Sequence, residues 1–274
     1  MKICRFDDNR IGLVVGDEIH DVTDQFKPPS FSYPLPRYDL MMAELPQFRK
    51  TRPVKIQKLL SPVANPGKIM AAPVNYTKHL QEALADKGIH HGNLVAEIHK
   101  AGIFLKASSA VVGPGEGVRL VHTDRRNDHE VELAVVIGRQ GRKIPEGDAL
   151  AHVAGYCIGL DMTIRGPEER SMRKSPDSYC VLGPWLATPD EVPDPGKLEL
   201  SITVNGETRQ QANTSDLIVS VPALIAWASS FYTLYPGDVL LTGTPQGVGP
   251  VKPGDVMKAT IECIGSMEVK VTAA

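Results

Sequence analysis

Two glutamates stand one residue apart at the head of an apolar run, His129-Glu130-Val131-Glu132-Leu133-Ala134-Val135-Val136-Ile137. The β-branched tail of this run predicts a buried strand, and side chains alternate faces along a strand. Glu130, Glu132, Ala134 and Val136 then share one face, so two carboxylates project side by side at the entrance of an apolar layer. Like charges that close raise each other's pKa unless a cation lies between them. A divalent ion with oxygen ligands supplies such a cation. The other reading is a strand end that reaches solvent, with both glutamates hydrated. A third carboxylate, Asp161, ends the apolar run Val153-Ala154-Gly155-Tyr156-Cys157-Ile158-Gly159-Leu160-Asp161. Asp is poor strand material, so it fits a loop, where its alternative role is to cap the next turn. Three carboxylates without a convincing His/Cys cluster favour Mg²⁺ or Mn²⁺ over Zn²⁺.

A second set of residues has the makings of a general base. His79 and Glu82 stand three apart in Asn75-Tyr76-Thr77-Lys78-His79-Leu80-Gln81-Glu82, which reads as a helix, so they share a face. A carboxylate that orients a histidine can make it a base for water, although a surface His–Glu pair has the same spacing. His90 and His91 are adjacent, point apart on a helix, and read as solvated. The Gly-rich stretch Thr242–Gly249 lacks GK[ST] and a following helix, so it is not a P-loop. Its N–H groups and the Thr244 hydroxyl could hold a carboxylate, or the stretch could be a tight hairpin. Arg165, Arg170, Arg173 and Lys174 cluster before Pro176, either to bind an anion or as solvated charge. GxSxG and HExxH are both absent, which leaves a serine-hydrolase elbow and a zincin unsupported.

The elements that must position these groups are short. Among 274 residues, 24 Gly and 22 Pro with only 5% aromatics predict many turns and short strands rather than long helices. Strand signals dominate after residue 103, with one good helix over residues 216–234. Residues 1–26 read as a hairpin or meander and residues 27–37 as a loop. Leu40, Met41, Leu45, Phe48, Ile56, Leu59 and Leu60 recur at roughly helical spacing, broken at Pro46 and Pro53. A domain boundary is placed after the loop 61–67, giving a small unit 1–65 and a main unit 66–274. A net charge of −2 argues against a nucleic-acid backbone binder. No apolar stretch of about 18 residues suggests a membrane span. Without an N-terminal h-region, and with four dispersed cysteines, the chain reads as a cytoplasmic protein with reduced thiols.

Six segments, in order, resemble the fumarylacetoacetate hydrolase family. They are Asn75–Glu82, Phe104–Ser109, His129–Gly138, Lys174–Trp185, Val204–Asp216 and Pro236–Gly249, within a resemblance running from about Lys68 to the C-terminus. It implies an α+β, β-rich fold, a mixed β-roll with few helices, preceded by a small variable N-terminal α/β domain. It implies one Mg²⁺ or Mn²⁺ held by Glu130, Glu132 and Asp161. His79 and Glu82 become the dyad that activates water, and Lys174 the catalytic cation beside the substrate oxygens. Asn75, Tyr76, Arg165, Glu168 and Thr244 become substrate contacts, and residues 83–102 a lid. Three departures stand out: Pro73 for a usual Gly, Leu160 for Asn, and Gly166-Pro167-Glu168 where Asp-x-Gln usually follows the arginine. The last puts substrate orientation in question, because that Gln commonly touches substrate.

The resemblance implies an enzyme acting on small 2-oxo acids, usually a homodimer. A metal chelated by the carboxylate and 2-oxo oxygen of the substrate would stabilise an enolate at C3. With water delivered by His79–Glu82, this cleaves the C–C bond of an acylpyruvate. The same device serves a 2-hydroxyhepta-2,4-diene-1,7-dioate isomerase or an oxaloacetate decarboxylase. The non-enzymatic alternative is a metal-binding scaffold, against which His79, Glu82 and Lys174 argue together.

Overall fold

Val131–Ile137 is buried at every residue, and its two faces meet two different apolar layers. Val131, Leu133, Val135 and Ile137 pack into the larger core, while Ala134 and Val136 pack into a second core with Ile69, Ala71, Val239 and Leu241. That alternation places Glu132 on the Ala134 face, as the two-residue period predicts. The strand is central in a sheet, with Val153–Asp161 on one side and Val239–Leu241 on the other. Burial on both faces explains why its sequence is continuously apolar rather than alternating.

The computed structural model describes residues 1–25, 49–93 and 95–274. Within these residues the largest sheet has 12 strands. Its path runs from the edge pair Pro53–Val54 through Glu18–Asp21, Arg10–Val15, Lys2–Phe6 and Cys180–Ala187 to Val153–Asp161. It continues through Val131–Ile137, Val239–Leu241 and Ile69–Ala71 to Phe104–Lys106. A five-stranded sheet supplies Leu200, Ile202, Met257, Ala259 and Val269 to the larger core, and a three-stranded sheet pairs Asn127–His129 with Thr163–Ile164 and Gly249–Pro250. Among the described residues helices are few and short: the longest there, Val221–Phe231, has 11 residues and is capped by Ser220, whose Oγ accepts from Ala223 N–H. The architecture is α+β and strand-rich, as expected.

The structure refines several element expectations. The helix expected at residues 216–234 is confined to Val221–Phe231, because the Ser220 cap and Pro222 in the first turn start it late. Residues 49–60 are not helical: Pro53–Val54 pairs with Glu18–Asp21, and Leu59–Leu60 pairs with Lys2–Phe6. Helical spacing there is coincidental, since Pro53 denies a helix its N–H and the chain finds sheet partners far away in sequence. The loop 27–37 and the apolar positions Leu40, Met41, Leu45 and Phe48 lie outside the described residues. The N-terminal meander is joined to the main sheet by Lys2–Phe6 against Cys180–Ala187.

Candidate active site

Glu130 sits at the break between Asn127–His129 and Val131–Ile137, Glu132 sits inside the second strand, and Asp161 ends Val153–Asp161 beside them. Asp161 is therefore a strand residue, not a loop residue, fixed because its N–H donates to Glu130 O and Asp161 pairs with Cys180. One carboxylate oxygen from each of the three lies within 4.8 Å of the others, and all three side chains are buried. Isolated buried carboxylates would be very costly. Three cations offset the cost. Lys174 Nζ donates to Glu130 Oε2 at 2.6 Å, to Asp161 Oδ2 at 2.7 Å and to Thr163 Oγ1 at 2.7 Å. Lys106 Nζ donates to Asp161 Oδ1 at 2.5 Å and also to Lys174 O. Arg165 donates to Glu130 Oε1 and Asp128 Oδ2, both at 2.8 Å.

Glu132 is the least compensated member. Its carboxylate accepts Gly243 N–H at 2.6 Å. Burial, then the neighbouring Asp161 charge, pushes its pKa well above the usual carboxylate range, with Lys174 only partly opposing them. For Glu130 burial pushes the same way, but Lys174 and Arg165 outweigh it and hold the carboxyl below its ordinary value. A compact set of hard oxygen donors with residual negative charge, 1% exposed at Glu132, fits an oxygen-preferring divalent cation.

The helix Thr77–Ala85 buries His79 and Ala83, four apart, and carries Glu82 on the adjoining edge. His79 Nδ1 is 2.9 Å from Glu82 Oε2, and Gly247 N–H donates to Glu82 Oε1 at 2.9 Å. With Nδ1–H given to Glu82, Nε2 keeps the lone pair and can take a proton. The stretch 242–249 thus does hold carboxylates through its N–H groups, but they are the protein's own: Glu132 through Gly243 and Glu82 through Gly247. It is no hairpin either, since Val239–Leu241 runs parallel to Ile69–Ala71 and Gly249–Pro250 pairs with Asn127–His129. Gly247 has φ +93°, and a Cβ there would fall 2.0 Å from Arg209 O, so this turn requires glycine.

His79, Glu130, Arg165 and Lys174 line one cavity of about 60 Å³, together with Arg170, Arg173, His90 and Asn93. His90, read as solvated from sequence, is half-buried and lines this cavity, while His91 is exposed. Asn93 Nδ2 donates to Gly166 O at 3.0 Å, and Arg126 bonds Asp86 at 2.9 Å. Both contacts hold part of the expected lid against the body of the protein.

Among the other expected substrate contacts, Asn75, Thr244 and Glu168 have their polar atoms bonded within the protein, while Tyr76 does not. Asn75 donates to Val219 O and Thr242 O and accepts from Val219 N–H, joining three segments. Thr244 Oγ1 donates to Val131 O at 2.9 Å and accepts from Gln210 Nε2 at 2.8 Å. Tyr76 is buried with its hydroxyl unpartnered, and burial with the Glu132 and Asp216 charges pushes its pKa up. Glu168 is not among the residues lining the cavity: Arg125 grips it with bonds of 3.1 and 2.8 Å. Sequence reasoning missed Lys106, Gln210 and Asp128. Lys106 lay in a quoted segment, Phe104–Ser109, and an isolated lysine in an apolar strand was the available signal.

A family model described as fumarylacetoacetate (FAA) hydrolase C-terminal matches residues 68–272. The chain is 58% identical to a maleylpyruvate hydrolase of Aquipseudomonas alcaligenes, over 99% of both chains. It is 40% identical to the mitochondrial oxaloacetate tautomerase Fahd2a of Rattus norvegicus, covering 77% of this chain and 68% of that one. Its fold is similar to the crystal structure of maleylpyruvate hydrolase from Sphingobium sp. SYK-6 in complex with manganese(II) ion and pyruvate, with a TM-score of 0.84, 37% identity and full coverage of both chains. The chain belongs to the fumarylacetoacetate hydrolase family.

Proposed function

We propose that this protein is a divalent-metal-dependent hydrolase that cleaves a C–C bond of an acylpyruvate. The observation that carries the reading is one cavity lined by a Glu82-oriented His79 and by Glu130, whose carboxylate clusters with those of Glu132 and Asp161. Similarity to two maleylpyruvate hydrolases, one solved with manganese(II) and pyruvate, supports it.

Glu130, Glu132 and Asp161 would hold one Mg²⁺ or Mn²⁺ per subunit. The ion would supply Lewis acidity to the oxygens at the pyruvate end of the substrate. His79 Nε2 removes a proton from water, and Glu82 stabilises the resulting imidazolium. The hydroxide adds to the distal carbonyl carbon, and the bond from that carbon to C3 breaks. The acyl part leaves as a carboxylic acid that gives its proton to solvent, the bonding electron pair stays on C3, and the proton held by His79 passes there to give pyruvate. Lys174 and Arg165 hold the Glu130 carboxylate in place by ion pairs, with Lys174 as the cation beside the substrate oxygens. Asn75, Tyr76 and Thr244 would support the substrate region, Asn75 and Thr244 through the backbone segments they tie together.

The small unit 1–65 and the main unit 66–274 divide the labour, with every proposed site residue in the second. The proposed assembly is a homodimer. Similarity to an oxaloacetate tautomerase favours one second reading, proton transfer on a 2-oxo acid without bond cleavage. The test incubates protein with acetylpyruvate and, separately, oxaloacetate, following the enol absorbance with Mg²⁺ or Mn²⁺ and again with EDTA. Metal-dependent loss of acetylpyruvate with pyruvate formed is expected. Action on oxaloacetate alone would replace this reading with the second.

A further inference from the structure

Asp128 stands two residues before Glu130 and is wholly buried. It is not one of the three clustered carboxylates, yet two guanidiniums meet it: Arg165 Nε donates to Oδ2 and Arg126 Nε to Oδ1, both at 2.8 Å. The three-stranded sheet brings them together, since Asp128 pairs with Thr163 and Arg165 N–H donates to Arg126 O at 2.8 Å. Each arginine also reaches a second acid. Arg165 Nη2 donates to Glu130 Oε1 at 2.8 Å, and Arg126 Nη1 donates to Asp86 Oδ2 at 2.9 Å. The charges therefore alternate without a gap through Asp86, Arg126, Asp128, Arg165 and Glu130. One end of this chain is a half-buried helix cap, and the other is a carboxylate of the proposed metal cluster.

Asp86 caps the helix Lys87–His90, its Oδ1 accepting Gly88 N–H at 2.7 Å. Gly88 leaves room for the guanidinium: a Cβ there would lie 2.7 Å from Arg126 Nη1 and 3.0 Å from Asp86 Oδ1. The segment 86–93 carries His90 and Asn93 to the cavity wall. Among the described residues its other ties are few. Ile89 packs with Ala83 and Val248 in a small cluster separate from both large cores, and Asn93 Nδ2 donates to Gly166 O. A segment with few buried apolar contacts opens at low free-energy cost, so the ion pair at Asp86 carries a large share of its seating.

From this arrangement we infer that Arg126 and Asp128 are positioning residues that couple the seating of the cavity wall 86–93 to the occupancy of the carboxylate cluster. The inference rests on the proposed metal site at Glu130, Glu132 and Asp161, and not on which bond is cleaved. With a divalent ion on the cluster, Glu130 has less negative charge to share with Arg165, and Arg165 turns its charge to Asp128. Asp128 is then matched from that side, and Arg126 is released to grip Asp86. The inner pairs are buried, so salt screens them little. Coupling of this kind is reciprocal: the ion favours the seated wall by the factor by which the seated wall favours the ion. A loaded site is thereby the one whose wall is in place for substrate.

The test follows amide hydrogen exchange of residues 86–93 in the metal-free and the Mn²⁺-saturated protein, with the strand Val256–Ile261 as internal reference. The wild type, Arg126→Gln, Arg126→Lys and Asp86→Asn are compared. In the wild type Mn²⁺ is expected to slow exchange in the segment about 5-fold or more. Arg126→Gln is expected to erase that difference, because it cuts the chain of charges at both Asp86 and Asp128. Arg126→Lys keeps the charge but not the fork, and is expected to restore part of it. Asp86→Asn keeps a capping side chain and loses only the charge, so loss of the difference there assigns the effect to the ion pair rather than to the cap. A merely structural Arg126 would speed exchange in both states and leave the difference between them. Wild-type exchange indifferent to bound Mn²⁺, or an undiminished Mn²⁺ effect in folded Arg126→Gln or Asp86→Asn, overturns the inference and leaves the hydrolase reading standing. Failure of the wild type to bind Mn²⁺ or Mg²⁺ overturns that metal-dependent reading and the inference with it.

Discussion

Around the carboxylate cluster three cations are spent on protein carboxylates: Lys174 on Glu130 and Asp161, Lys106 on Asp161, and Arg165 on Glu130 and Asp128. On the helix Arg170–Lys174, Arg170 and Arg173 line the same cavity as Glu130 but have no carboxylate among the described residues. Both regions carry cations, but only the first matches them with acids. The carboxylate cluster stores excess negative charge that calls for a cation from outside, and Glu132 is where that excess is felt most. The two arginines store positive charge that calls for an anion.

The largest change should come from removing the excess in the carboxylate cluster. Glu132→Gln is expected to weaken Mn²⁺ binding by at least about 100-fold, more than the loss of an outer-shell partner would, and to abolish hydrolysis. The same variant relieves a buried carboxylate that its neighbours repel, so the metal-free protein should melt about 2–4 °C higher for each kcal/mol relieved. Calorimetric titration with Mn²⁺ and a thermal scan of the metal-free protein check both. Wild-type affinity in the variant would remove Glu132 from the ligand set.

A pH titration sharpens the same contrast. Glu132 has a raised pKa in the metal-free protein, so over the pH range between the ordinary carboxylate value and its own it holds a proton that bound metal must displace. Affinity for Mn²⁺ should therefore rise with pH through that window, by up to about tenfold per pH unit, and then level off. Glu130, held below its ordinary value by Lys174 and Arg165, is already ionised there and adds no second slope. Affinity independent of pH across the window would mean that Glu132 carries no proton to lose. The smallest effect is expected outside the cavity. Glu168→Gln breaks a solvent-screened pair with Arg125, so the midpoint of a denaturant melt should barely move. A large drop in that midpoint would show that this pair holds the 165–168 loop.

Local periodicity made the centre of the site legible. Glu130 and Glu132 at strand spacing and His79 and Glu82 at helix spacing needed only the alternation of a buried strand and one turn of helix. Asp161 was found as a charge at the end of an apolar run, though it belongs to the strand rather than a loop. Partners that arrive from far along the chain left no local mark. Lys106 meets Asp161 across 55 residues, Gln210 meets His129 across 81, and Lys2–Phe6 pairs with Cys180–Ala187. The helical spacing read through Ile56, Leu59 and Leu60 failed for the same reason: distant strands supplied the hydrogen bonds. The arginine pattern was visible in sequence, but only the structure separates Arg165 and Lys174, paired with carboxylates, from Arg170 and Arg173, which have no carboxylate among the described residues.

The central claim, that His79 acts on water beside a carboxylate-held metal, is tested most directly by a paired measurement. Pyruvate release from acetylpyruvate is compared between the wild-type protein and His79→Ala, with bound metal quantified in both. The account predicts equal metal content and a rate lower by about 10²- to 10⁴-fold in the variant, with both rates abolished by EDTA. Undiminished pyruvate release from metal-loaded His79→Ala would contradict it.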